Sequence, residues 1–181
     1  MPGYAFGTIS SISSNISISI RDQAAAEARR VLFECASGAT PVDPFDIASR
    51  LGVEVVEERL DPDISGILQL RKSGGALVFL NRADGVRRKR FTCAHEIGHY
   101  VKHLGEGDNL EHVDYRDEAA SQGVDADERF ANSFAASLLM PDYLVERQVA
   151  MGEGEREMAD FFEVSEAALV NRLKGLGLFS L

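Results

Sequence analysis

The stretch that decides the fold reads Phe91-Thr-Cys-Ala-His95-Glu96-Ile-Gly-His99-Tyr100. It contains the pattern His-Glu-x-x-His, and we expect it to form a helix. Because each helical residue turns by about 100°, the side chains of His95 and His99 lie one turn apart and can point at one metal ion. Zinc is the ion for which this pattern is typical. Glu96 lies further round the helix, where its carboxylate suits a general base better than a ligand.

The overall composition is that of an ordinary globular protein. Hydrophobic residues make up 45% and charged residues 27% of the 181 positions, which suffices for the core of one compact domain without disulfides. The net charge of −10 argues against broad, nonspecific binding to nucleic acid or to an anionic membrane. Cys35 and Cys93 form no CxxC pair, and we expect both to be reduced, buried thiols of a cytoplasmic protein.

The N-terminal segment, residues 1–20, is rich in Ser and Ile and has no Lys or Arg before Arg21. It lacks the basic region and the continuous apolar block of a signal peptide. No run in the chain approaches the length that a membrane span needs. We therefore expect a flexible N-terminal tail and a cytoplasmic location.

Hydrophobic periodicity and turn residues predict an α+β fold with a small sheet packed on the motif helix. The predicted helices cover Asp22–Ala36, Pro44–Leu51, Val86–His103 and Asp127–Met140, and the predicted strands cover Val53–Val56, Ser65–Leu70 and Ala76–Leu80. The last two strands form a predicted hairpin through Ser73-Gly74-Gly75. We expect the strand of Ala76, Leu77, Val78, Phe79 and Leu80 to lie at the sheet edge, where a substrate peptide adds as a further strand.

Two charged segments flank the motif helix. Residues 104–127 are polar and acidic, and a structureless connection of this length is uncommon unless it has a function. A solvated loop is favoured there, and a lid over the cleft is the alternative. Arg87, Arg88, Lys89 and Arg90 form a basic run in the first turn of the helix, which is electrostatically unfavourable. We expect the acidic segment to compensate this run; recruitment of an acidic protein substrate is the alternative.

A catalytic zinc site needs a third protein ligand and one open position. One zinc-protease pattern supplies a third His, but here Gly105 stands at that place. His103 lies too far along the helix, and His112 lies in the acidic segment. Glu128 is favoured, since it begins the second strong helix and faces away from that helix's apolar stripe. Asn132 lies one turn further on nearly the same face, where its amide could accept the second ring N–H of a ligating His.

Peptide hydrolysis also needs a second donor, beside the metal, for the developing oxyanion. Tyr100, Tyr115, His112 and Arg129 carry suitable groups. The sequence does not choose among these four residues.

The pattern of residues 151–181 is typical of a helix-turn-helix. We expect this segment to follow a metallopeptidase domain that covers residues 21–150. Ser165 is predicted to cap its second helix. A DNA-binding segment would use exposed donors such as Asn171, Arg172 and Lys174. The acidic composition argues against DNA binding, so a helical segment packed on the domain is favoured.

Two blocks of the sequence together resemble the ImmA/IrrE family of zinc metallopeptidases. The first is Arg90-Phe91-Thr92-Cys93-Ala94-His95-Glu96-Ile97-Gly98-His99-Tyr100, and the second is Glu128-Arg-Phe-Ala131-Asn132-Ser-Phe134-Ala135 with Leu138-Leu139-Met140-Pro141. The similarity runs from about Asp22 to Leu178. It implies a zincin-like fold, a Zn²⁺ cofactor, His95, His99 and Glu128 as ligands, and Glu96 as catalytic base.

The resemblance further implies an intracellular bacterial or phage protein that cleaves a helix-turn-helix repressor and so relieves repression. Members of the stress-response branch carry a further C-terminal sensor domain, for which a chain that stops at Leu181 has no room. The leading hypothesis is therefore an endopeptidase of narrow specificity that acts on such a repressor or on an antitoxin-like regulator. The alternative is a DNA-binding or partner-binding transcriptional regulator with a structural or vestigial zinc site. Glu96 favours the enzyme, because a structural site has no use for a carboxylate beside an open metal position.

Overall fold

The computed structural model describes residues 18–36, 38–71, 75–103, 111–115 and 126–179, and this part of the chain contains seven helices and four strands. They are α1 (Ile20–Cys35), α2 (Pro44–Arg50), β1 (Val53–Glu58), β2 (Ile64–Leu70), β3 (Ala76–Asn81), α3 (Val86–Lys102), β4 (Glu111–Tyr115), α4 (Ala126–Leu139), α5 (Asp142–Ala150), α6 (Glu155–Phe162) and α7 (Glu166–Leu176). The four helices and three strands placed above are confirmed, with small shifts at their ends. Residues 1–17 of the predicted tail lie outside the described residues. No described helix has the length and apolarity that crossing a membrane requires.

Side-chain caps fix where several helices begin. The Ser19 hydroxyl accepts a hydrogen bond from the Asp22 backbone N–H at the start of α1. At α7 the predicted cap is confirmed, since the Ser165 hydroxyl accepts from the Ala168 N–H at 3.2 Å. Such a cap contributes about 1 kcal/mol, because it satisfies an N–H that the helix itself leaves unpaired.

The sheet has the strand order β1-β3-β2-β4, which corrects the prediction for β3. This strand pairs in parallel with β1 (Val55 opposite Val78) and antiparallel with β2 (Leu68 opposite Val78). The strand of residues 76–80 is therefore central, and both of its backbone edges are occupied. A substrate peptide cannot add beside it.

The fourth strand, β4, lies inside the acidic segment that was predicted to be a structureless connection. It pairs antiparallel with β2, with Val113 opposite Ile67, at the outer side of the sheet. The prediction was wrong over residues 111–115, because pairing with β2 organises a stretch whose own sequence has little strand character. The remainder of the predicted loop or lid, residues 104–110 and 116–125, lies outside the described residues.

The motif helix lies between the sheet and α4. It contacts β2 and β3 on one side and α4 on the other, and α1 packs against α4. Fully buried apolar side chains fill these contacts, among them Leu68 and Val78 of the sheet, Ile97 of α3, and Phe134 and Leu138 of α4. This arrangement is the predicted α+β, zincin-like fold.

The basic run at the start of α3 has partners on the sheet and on the C-terminal helices. Its ion pairs are Arg87–Asp160, Lys89–Glu57 and Arg90–Glu163. Arg88 instead donates to the Ser65 hydroxyl at 2.8 Å. Within the described residues, the compensating carboxylates come from β1 and from the region of α6. Nearly all carboxylates of the acidic segment lie outside the described residues, so the compensation predicted for that segment stays a prediction.

The C-terminal helices pack on the rest of the domain partly through a buried arginine. Arg172 donates its Nε–H to the Met140 carbonyl at 3.0 Å and pairs with Asp142 at 3.2 Å. Burial lowers the pKa of Arg172, and the Asp142 carboxylate opposes that shift. The prediction of Arg172 as an exposed DNA donor is wrong, since 7% of the residue is exposed.

Candidate metal centre

Two neighbouring helices bring three potential ligands together. His95 and His99 of α3 are buried, at 2% and 1% exposure, and their Nε2 atoms lie 3.0 Å apart. From α4, Glu128 places Oε2 3.4 Å from the Nε2 of His95 and Oε1 3.1 Å from the Nε2 of His99. The three residues thus form a compact cluster of donor atoms. Two imidazoles and a carboxylate that converge in this way are compatible with one metal ion.

Asn132 orients one of these imidazoles. Its Oδ1 lies 3.1 Å from the Nδ1 of His95. The sequence had indicated that this amide could accept from a ligating histidine, without deciding which one. Because a carbonyl oxygen only accepts hydrogen bonds, Nδ1 must carry the ring proton. In the neutral ring the lone pair is then on Nε2, which faces His99 and Glu128, so this tautomer suits metal ligation.

Glu96 is fully buried beside the cluster, and Gly66 of β2 makes room for it. A Cβ built on Gly66 would lie 2.8 Å from Glu96 Oε1 and 2.5 Å from Thr92 Cγ2. Any side chain at this position would therefore displace the carboxylate. Sequence reasoning missed Gly66, although a glycine inside a strand often marks a close approach by another group.

Gly98, between the two histidines, was also missed. A Cβ there would lie 3.0 Å from Ala131 Cα and 3.2 Å from Phe134 Cδ1. The absence of a side chain lets α3 and α4 approach closely, and this approach brings Glu128 to the histidines. The signal in the sequence was a glycine within a helix, where it costs about 1 kcal/mol relative to alanine and so usually has a packing reason.

The four predicted oxyanion donors have different outcomes. The prediction for Tyr100 is corrected. Its hydroxyl donates to the Leu51 carbonyl at 3.3 Å, between α3 and the end of α2, and this hydroxyl is therefore engaged away from the cluster. Arg129 is exposed on α4, next to Glu128. His112 and Tyr115 lie on β4, opposite Leu68 and Ile64, and their side chains lie outside what the structure describes.

Two other residues near the motif have structural roles. The Nε2 of His103, at the end of α3, lies 3.3 Å from Asp127 Oδ2. A hydrogen bond from Lys102 lowers the pKa of Asp127.

Cys93 is buried as expected. Its Sγ lies 3.7 Å from the Pro44 carbonyl, and burial raises the pKa of its thiol.

An α+β domain in which a His-Glu-x-x-His helix faces a second helix bearing a glutamate defines a metallopeptidase-like protein of zincin-like fold. Comparison with known families agrees: the profile of the IrrE N-terminal-like domain (peptidase family M78) matches residues 48–174. The chain belongs to this family.

Two curated relatives are similar to part of the chain. The "Uncharacterized immunity region protein 2" of Bacillus phage phi105 is 30% identical over 106 residues, which cover 57% of this chain and 61% of that protein. The "Radiation response metalloprotease IrrE" of Deinococcus radiodurans is 35% identical over 103 residues, which cover 54% of this chain and 30% of that protein. The chain therefore spans less than two thirds of the length of either relative.

Proposed function

We propose that the chain is a zinc-dependent endopeptidase of narrow specificity that cleaves a helix-turn-helix repressor or an antitoxin-like regulator and so relieves repression. The observation that carries the proposal is the convergence of His95, His99 and Glu128, together with a fully buried carboxylate, Glu96, on the helix that bears both histidines. A site built only for structure would have no use for that fourth group.

The spacing of the donor atoms supports zinc. Ligand atoms at about 2.0–2.1 Å from a tetrahedral zinc ion lie about 3.3 Å from each other. The three separations here are 3.0, 3.1 and 3.4 Å. His95, His99 and Glu128 would hold the ion, and Asn132 would keep the His95 ring in the ligating tautomer. A zinc ion held there supplies Lewis acidity and lowers the pKa of a coordinated water toward about 7.

The side chains of this protein then divide the remaining work. The Glu96 carboxylate takes a proton from the attacking water and delivers it to the nitrogen of the leaving amine. Its position beside Gly66 holds it on the sheet side of α3, and in sequence it lies next to His95 and three residues before His99. Of the predicted oxyanion donors, Arg129, His112 and Tyr115 remain candidates.

The substrate class rests on family membership and on the names of the two relatives, a metalloprotease of the radiation response and a protein of a phage immunity region. Neither name states a substrate, and that the substrate is a transcriptional regulator is our proposal from the family resemblance. We further infer a cytoplasmic location, where transcriptional regulators act. Fractionation of cells that express the chain with a C-terminal tag tests this inference, and recovery in the periplasm or the membrane would contradict it.

Co-expression tests the proposed activity. Native protein and the Glu96→Gln variant are each expressed with candidate helix-turn-helix regulators, and the full-length regulator is followed by immunoblot. We expect one regulator to be shortened only by the native protein. Equal loss with both proteins would remove Glu96 from the reaction.

A further inference from the structure

A cleft of about 470 Å³ opens beside the metal centre. Its walls are the beginning of α3, the middle of α4 and the turn between α6 and α7. Asn132, whose amide contacts His95, forms part of the wall. A group bound in the cleft is therefore separated from the His95 imidazole by one side chain.

The residues that line the cleft come partly from two segments that have no role in the proposed reaction, the basic run and the helix-turn-helix-like segment. Arg87 and Arg88 come from the basic run, and Ser165, Ala168 and Asn171 come from the helix-turn-helix-like segment. Phe91, Ala136 and Val164 supply apolar surface between them. Among its described lining residues the cleft has polar and cationic groups but no carboxylate.

Arg88 is the cation in the cleft with unused hydrogen-bonding capacity. The charge of Arg87 is paired with Asp160, so it is largely compensated. Arg88 has no carboxylate partner among the described residues, and its Nη2 donates to the Ser65 hydroxyl. Its charge is therefore not compensated by a carboxylate there, and an N–H group of the guanidinium that faces the cleft can donate to a bound carboxylate.

The position of Arg88 connects the cleft to the reaction site. Ser65 precedes Gly66, the residue against which Glu96 packs. The guanidinium is thus held at the β2 strand, at the residue before Gly66, while the cleft extends toward α7.

On the basis of the proposed function, we propose that this cleft is a specificity pocket for an acidic side chain of the substrate, within a few residues of the scissile bond. Arg88 recognises the carboxylate, and Phe91, Ala136 and Val164 contact the stem of the side chain. The basic run and the C-terminal helices then form the substrate pocket, and neither needs to bind DNA.

Hexapeptide libraries test the pocket. In each library one position is fixed as Glu, Gln or Lys, and the others are equimolar mixtures. Binding is measured by competition against a fluorescent member of the Glu library on the zinc-loaded Glu96→Gln protein, which separates recognition from cleavage. At one fixed position we expect the Glu library to bind about tenfold more tightly than the Gln library, which is the effect of roughly one charge-assisted hydrogen bond. The Lys library should bind most weakly.

Substitutions in the Glu96→Gln background locate the effect. Arg88→Gln is expected to abolish the preference for Glu. Asn171 is exposed, so its substitution leaves the fold intact. Asn171→Asp should weaken the preference, and Asn171→Lys should strengthen it. Arg147→Gln, at an exposed arginine on α5 outside the cleft, is the matched control and should change nothing.

Equal binding of the Glu and Gln libraries at all positions would overturn the pocket, as would a preference that survives both Arg88→Gln and Asn171→Asp. The same libraries are incubated with zinc-loaded native protein, and cut bonds are identified by mass spectrometry. Cutting without an acidic preference would overturn the pocket and leave the proposed endopeptidase. Acid-selective binding, together with no shortening of any regulator by the native protein in the co-expression experiment, would support the pocket and contradict the endopeptidase.

Discussion

Gly98 on α3 lies so close to Ala131 on α4 that a Cβ on Gly98 would be 3.0 Å from the Ala131 Cα. The two histidines flank Gly98 in sequence, and Glu128 lies one turn before Ala131. The separation of the three donor groups therefore follows from the distance between two backbones. A change at this crossing should affect both stability and metal binding.

Gly98→Ala is expected to destabilise the protein. Overpacking at the helix crossing costs about 1–3 kcal/mol, which exceeds the gain of up to about 1 kcal/mol from the better helix propensity of alanine. Urea unfolding of the metal-free protein measures the loss, and a zinc titration should show weaker binding.

Gly175→Ala is the matched control for this variant. Its Cβ would meet only the end of the flexible Arg21 side chain, at 3.4 Å, so helix propensity should prevail and the variant should be neutral or more stable. Equal destabilisation by both substitutions would contradict the role of the crossing.

Gly66→Ala should displace the Glu96 carboxylate. The added methyl group would lie 2.5 Å from Thr92 Cγ2 and 2.8 Å from Glu96 Oε1, so one or both side chains must move. We expect a loss of about 1–3 kcal/mol in the free energy of unfolding, and a fall in kcat.

Thr92→Ser removes the methyl group that meets the new Cβ, so the Gly66→Ala/Thr92→Ser double variant separates the two contacts. In a double-mutant cycle, the second substitution should restore part of the lost free energy of unfolding. The kcat should stay low, because the clash with Glu96 remains. Recovery of kcat together with stability would mean that the position of Glu96 is not what Gly66 maintains.

Asn132→Ala should weaken zinc binding about 10–100-fold, the usual effect of removing a group that orients a ligating histidine. Competition with a chromophoric chelator measures the affinity. The control is Asn171→Ala, which removes an exposed amide on α7 and should leave zinc affinity unchanged. Equal affinities of the native and Asn132→Ala proteins would show that the contact with His95 does not orient the ring.

Local sequence patterns were sufficient to predict the helices and the contact of Asn132 with a motif histidine, although not which of the two histidines it is. The relevant spacings are short, i and i+4 on each helix, and caps such as Ser165 are decided by neighbouring residues. The His–Glu cluster itself requires two helices to meet, and residue faces on α4 already indicated Glu128. A large separation in sequence between two ligands therefore did not prevent their prediction, because each of the two helices had a clear apolar face.

Strand order and buried charge were harder to predict, since both depend on partners that are distant in sequence. A hairpin signal joins β2 to β3, but no local pattern indicates that β1 takes the other side of β3. The nearly continuous apolar run of residues 76–80 was an overlooked sign of a central strand. The burial of Arg172 depends on Met140 and Asp142, some thirty residues earlier, and a lone arginine is expected at the surface.

Arg172→Met should cost roughly 2–3 kcal/mol of stability. The apolar stem is kept, but the hydrogen bond to the Met140 carbonyl and the ion pair with Asp142 are lost at a site where 6% of the arginine side chain is exposed. Thermal or urea unfolding measures the change. Arg156→Met, at an exposed arginine on α6, should stay within about 0.5 kcal/mol of the native protein. A similarly small effect of Arg172→Met would mean that α7 is held by its apolar contacts alone.

The most direct test of a zinc-dependent endopeptidase measures zinc content and cleavage on the same purified samples. Native protein, Glu96→Gln and Glu128→Ala are loaded with zinc, dialysed, assayed for bound metal, and incubated with the regulator identified by co-expression. We expect the native protein to retain one zinc per chain and to cut, Glu96→Gln to retain one zinc and not to cut, and Glu128→Ala to lose most of its zinc. Cleavage by Glu96→Gln at the native rate, with equal zinc content, would contradict the assignment of Glu96 as the catalytic base.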